Sequence, residues 1–106
     1  MALHFNEYQF QAADFALPTA LDSKNYLLPG LTGEVGELMS LFAKAHRDGT
    51  IVEQDQITKE LGDCLWFIAV IAKVYDISLL EVAEKNLEKL ASRQKRGTIT
   101  GSGDNR

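Results

Sequence analysis

Four carboxylates stand in two matched pairs. Glu34 and Glu37 lie in Gly33-Glu34-Val35-Gly36-Glu37-Leu38, and Glu60 and Asp63 lie in Glu60-Leu61-Gly62-Asp63. Each pair is spaced i, i+3, and both stretches carry apolar residues at helical intervals. Residues at that spacing share one helix face, so two such helices side by side would aim four acids at one point. At about 100° per residue, both pairs flank the apolar stripe of their helix instead of opposing it, and so border a groove. Acids that close repel and imply a cation. An all-oxygen cluster suits a hard divalent ion, Mg2+ or, alternatively, Mn2+. The competing reading is four solvated acids near helix starts, favoured there by the macrodipole. It explains Glu34 and Glu37, and Glu60 in part, but not the shared spacing and edge position. Gly33, Gly36 and Gly62 accompany the acids. Glycine costs a helix about 0.5–1 kcal/mol relative to alanine, so close approach of a backbone or ligand, or tight helix packing, is expected there.

A second constellation is basic. Asn86, Lys89, Arg93 and Arg96 fall on one stripe beside the apolar face of Leu79, Val82, Ala83 and Leu90, while Glu81, Glu84, Lys85, Glu88 and Lys95 take the outer face. Lys44 stands seven residues after Glu37, on nearly the same line. Snorkelling at a core boundary would explain the stripe alone. Beside a carboxylate–metal cluster, it is equipment for a polyphosphate.

Four helices must position these groups. Asn6 and Gln9 resemble a capping box that opens the first, ended by Pro18. Residues 18–29 read as a packed connection through Leu21, Tyr26, Leu27 and Leu28, with Pro29 in the first turn of the second helix. That helix runs to about Asp48, stopped by Gly49. The third spans about 55–75 and turns apolar all round, with Trp66 and Val70 off its main stripe. A helix apolar on every side is buried on every side, and in so short a chain a second subunit is the expected cover. Ser78 and Glu81 form a capping box for the fourth, which reaches about Lys95. The fold class is therefore all-α: a four-helix bundle over 1–96, followed by a Gly-rich tail at 97–106.

Composition narrows the function. The chain has 106 residues, enough for one domain, and 45% hydrophobic content. A net charge of -4 disfavours sequence-independent duplex binding, so no nucleic-acid partner is expected. The longest apolar run, Cys64 to Ala72, is too short for a bilayer. The single cysteine, Cys64, and the polar first ten residues fit a reducing cytoplasm. Cys64 has no local basic partner and reads as a buried, inert thiol. A di-iron carboxylate bundle would need Glu-x-x-His pairs, which His4 and His46 do not complete.

Glu-x-x-Glu, a gap at 38–59, then Glu-x-x-Asp resembles the signature of the all-α nucleoside triphosphate pyrophosphohydrolases, and the context of both motifs is similar to the MazG-like branch. Asn86-x-x-Lys89-x-x-x-Arg93 is similar to that branch too, and the similarity covers about residues 5–96. The resemblance implies Mg2+-dependent cleavage of an NTP or dNTP between its α and β phosphates, giving a monophosphate and pyrophosphate. It implies a homodimer or homotetramer. By motif position, Glu34, Glu37, Glu60 and Asp63 would hold metal, with Glu34 or Glu37 as base. Lys44, Lys89 and Arg93, joined by Arg96 of the stripe, would meet phosphate, and Asn86 phosphate, sugar or base. Some relatives carry a second acid beside the first Glu, where Gly33 stands here, which leaves the number of metals open. Trp66 is expected in the core or an interface, with base stacking as its alternative. The tail is expected to fold over a neighbouring active site. A protein that binds nucleotide with metal but without turnover is the alternative function.

Overall fold

The computed structural model describes residues 2–21 and 24–106. The helices are α1 (Phe5–Asp14), α2 (Pro18–Leu21), α3 (Lys24–Asp48), α4 (Gln54–Val74) and α5 (Leu79–Arg96). Among the described residues there is no strand, and α2 is a single turn of four residues, so four long helices build the fold as expected. The most extensive packing is between α3 and α4, joined by a short link into an antiparallel hairpin. α1 lies across α4 and touches α5.

Helix ends follow local chemistry. Gly49 at φ +67° ends α3, with Thr50 N–H returning to the Ala45 carbonyl at 2.9 Å. Gly97 at φ +70° does the same for α5, with Thr98 N–H on the Arg93 carbonyl at 2.8 Å. Glu53 and Gln56 close a reciprocal capping box at the start of α4.

Three expectations change. α1 begins at Phe5, and Asn6 and Gln9 do not cap it. They cap α5 instead: Leu79 N–H donates to Gln9 Oε1 at 3.0 Å and Leu80 N–H to Asn6 Oδ1 at 3.1 Å. Ser78 Oγ takes the Glu81 N–H at 3.0 Å, while the Glu81 side chain turns to Lys85 rather than back to Ser78. Gln9 is buried, and its amide also donates to the carbonyls of Ala69 and Ile77 at 3.2 and 2.9 Å. Second, α3 starts at Lys24, so Pro29 lies inside the helix and most of the expected connection is helical. The packing expected of Leu21, and positions 22 and 23, lie outside the described residues. Third, the inward face of α4 carries Val70, with Trp66 against it, while Leu61, Leu65 and Ile68 stay exposed.

The core is small. Leu27, Phe67 and Val70 form its centre, with Ala16, Leu31, Trp66, Ile71 and Val74 packed around them. Gly30 is the glycine that packing requires: a Cβ there would stand 2.4 Å from the Phe67 ring. Trp66 meets that ring edge-on, centroids 5.0 Å apart, and its N–H donates to the Ala12 carbonyl at 3.0 Å. Trp66 therefore ties α4 to α1, as its core reading requires.

Candidate functional site

α3 and α4 bring three of the four acids together. Oxygens of Glu34 and Glu37 from α3 and of Glu60 from α4 lie within 4.8 Å of one another. Glu34 and Glu60 are half-buried, and each leaves one carboxylate oxygen, Oε2, buried without a hydrogen-bond partner. Asp63 is exposed and stands outside this group of three, yet close enough for its charge to act on Glu34. Burial pushes the Glu34 carboxyl above its ordinary value of 4.5, and Glu37, Asp63 and Glu60 push it further. Nothing basic pulls it back.

An orphaned buried carboxylate oxygen is costly, and two of them on acids of one cluster of hard oxygen donors fit a divalent cation. Glu34, Glu37 and Glu60 come together as the paired spacing predicts, while Asp63 stands outside the group. The glycines beside the acids do not serve packing within this chain. A Cβ at Gly33, Gly36 or Gly62 would meet nothing within 4 Å.

Tyr8 escaped sequence reasoning, and so did the nearness of Cys64 to the acids. Tyr8 of α1 is half-buried, and after burial it is the Asp63 charge that raises its phenol pKa, so α1 borders the site. Its signal was hidden because nothing local in sequence links Tyr8 to Asp63. Cys64 is buried and faces the acids; burial first, then Glu34, Asp63 and Glu60, raise its thiol pKa. The raised value favours the thiol over the thiolate.

The predicted cations lie on α3 and α5. Lys44 is exposed at the far end of α3, beside a recess of about 180 Å³ that Leu41, Asp48 and Gln56 also line. Asn86 is exposed on α5. Lys89 Nζ pairs with the Asp104 carboxylate of the tail at 2.8 Å, and Arg93 Nη2 with the same oxygen at 3.2 Å. Arg96 reaches the Arg106 carbonyl at 2.8 Å. The tail thus lies along α5 of its own chain, on the stripe expected to meet phosphate.

The comparisons bear on this arrangement. The model of the MazG nucleotide pyrophosphohydrolase domain matches residues 22–98, which contain all four acids and the α5 stripe. A protein described as Gene 37 protein, from Mycobacterium phage L5, is 40% identical over 114 residues, covering 98% of this chain and 100% of that protein. No solved structure gives a significant match. With paired acids on adjacent helices and a family match over most of its length, the chain belongs to the MazG nucleotide pyrophosphohydrolase family.

Proposed function

We propose that this protein hydrolyses a nucleoside triphosphate, NTP or dNTP, between the α and β phosphates, releasing a monophosphate and pyrophosphate in a reaction that requires Mg2+ or Mn2+. The observation that carries this reading is the cluster of Glu34, Glu37 and Glu60 with two buried, unpartnered carboxylate oxygens. A divalent cation, when bound, neutralises phosphate charge and acidifies water. Glu34, Glu37 and Glu60 would hold it, with Asp63 at the rim. Glu37 is the exposed member of the cluster, open to an incoming water, and is assigned as the base that takes the proton. The basic stripe of α5, with Lys44, is the phosphate-facing surface in this reading, and Asn86 orients the nucleotide. Before metal binds, the acids repel a polyphosphate, so nucleotide affinity depends on the cation.

Assembly is part of the proposal. The chain exposes 7948 Å², where a compact monomer of 11.8 kDa would expose about 5,900 Å². Its radius of gyration is 16.6 Å, against about 13 Å for a globule of this length. Val35, Met39, Phe42, Leu61, Leu65 and Ile68 are exposed on α3 and α4. A homodimer or homotetramer that covers these faces accounts for the excess.

Turnover of an NTP and dNTP panel, followed by pyrophosphate release with Mg2+, with Mn2+ and with EDTA, tests the reading. Release that EDTA abolishes and Mg2+ restores is expected. Equal release with EDTA would refute the metal assignment.

A further inference from the structure

The tail is a built structure. Gly101 and Gly103 take φ of +121° and +88°, backbone that L side chains rarely adopt, and curl residues 97–106 back along α5. The Arg106 guanidinium then donates to three carbonyls: Thr98 from Nε at 3.1 Å, Gly103 from Nη1 at 2.6 Å and Ile99 from Nη2 at 2.8 Å. A planar fork suits such a triple contact, and a lysine could not reproduce it. A Cβ at Gly101 would crowd Arg106 Cδ at 3.2 Å, so the turn is shaped around this side chain. The loop so closed sets Asp104 over α5. Its carboxylate accepts from Lys89 Nζ and Arg93 Nη2, and its carbonyl accepts from Arg93 Nη2 as well.

The two cations end in different states. Arg93 has a side chain only 7% exposed, whereas that of Lys89 is 37% exposed. Both hydrogens of Arg93 Nη2 are taken by Asp104. Lys89 carries three N–H donors and gives one to Asp104, leaving two for a ligand. Two cationic side chains, Lys89 and Arg93, share this one carboxylate, so the group of three keeps a net positive charge.

We propose that Asp104, held in place by Arg106, is a positioning residue: it keeps Arg93 as a buried anchor and presents Lys89 to the substrate's phosphate. This rests on the reading of the α5 stripe as phosphate-facing. A lysine already held in one rotamer loses less freedom when phosphate arrives, so ordering it in advance raises affinity. The sign of the effect separates this from simple electrostatics. Removing one exposed negative charge beside a cation tightens anion binding if charge is all that matters. Only lost positioning weakens it.

The experiment is calorimetric binding of pyrophosphate, with Mg2+ present, to the full chain and to Asp104→Asn, Asp104→Glu and Arg106→Gln, with KM and kcat for the best nucleotide alongside. Asp104→Asn and Arg106→Gln should weaken pyrophosphate binding roughly three- to tenfold. KM should rise to match, kcat should change less, the thermal midpoint should hold, and Asp104→Glu should recover most of the affinity. Tighter binding by Asp104→Asn would make the tail a competitor for phosphate and overturn the proposal, as would unchanged affinity in both variants or no pyrophosphate binding by the wild type. If nucleotides are hydrolysed and the variants bind like wild type, the positioning role fails while the hydrolase reading stands. If no nucleotide is hydrolysed yet the variants lose pyrophosphate, the reverse holds.

Discussion

Glu34 makes the acidic cluster sensitive to protons as well as to metal. Its folded-state pKa lies above the ordinary 4.5, so the folded, metal-free chain binds this proton more tightly than the unfolded chain. The stability it contributes is present below about pH 4.5 and is lost as pH rises through the raised value. Asp48 and Asp104 run the other way. Arg47 lowers the first, and Lys89 and then Arg93 lower the second, both from 3.8, so their contribution is lost only in stronger acid. The windows do not overlap. With EDTA, the thermal midpoint should therefore fall as pH rises above about 4.5, Mg2+ should flatten that slope, and Glu34→Gln should remove most of it. A metal-free midpoint that rises over this range would contradict the cluster's electrostatics. The same logic makes Glu60→Gln neutral or stabilising without metal, yet costly to turnover, on the order of a hundredfold or more. All four acids were legible in the sequence because i, i+3 spacing states which helix face they share. The rim position of Asp63 and the approach of Tyr8 were not, since both depend on how α1 crosses α4.

At the scale of elements, the end of α3 and both ends of α5 were readable from local chemistry at Gly49, Ser78 and Gly97. The beginning of the chain was misread for a physical reason. Asn6 and Gln9 have capping-box spacing, but their side chains satisfy donors of α5, more than sixty residues away in sequence, and no local pattern encodes that contact. Gln9→Ala should consequently cost about 2–3 kcal/mol, because it strands the Leu79 N–H and removes two further hydrogen bonds at this junction; urea unfolding checks it. The glycines divide by the same test of space. Gly30→Ala forces a methyl into the Phe67 ring and should destabilise by about 1–3 kcal/mol. Gly62→Ala meets nothing and should stabilise α4 by about 0.5–1 kcal/mol. If Gly62→Ala loses turnover while gaining stability, the room beside the acids serves the ligand. If turnover is kept, a gap there has no functional role.

For the whole molecule, the all-round apolar character of α4 was plain in the sequence, but which side faces inward was not, because a uniformly apolar helix has no stripe to orient it. Val70 and Phe67 went in, and Leu61, Leu65 and Ile68 were left out. Light scattering coupled to size exclusion should give a dimer or tetramer, and Leu65→Glu should shift it toward monomer. A monomeric wild type would contradict the proposed assembly. No helix among the described residues is long and apolar enough to cross a membrane. The most direct measurement of what the molecule does is product identification by phosphorus NMR, with Mg2+ and a panel of NTPs and dNTPs, beside Glu37→Gln. Monophosphate and pyrophosphate from the wild type, lost in the variant, are the predicted result. Diphosphate and orthophosphate, or no turnover of any nucleotide, would contradict it, and the latter would leave a metal-dependent nucleotide-binding protein.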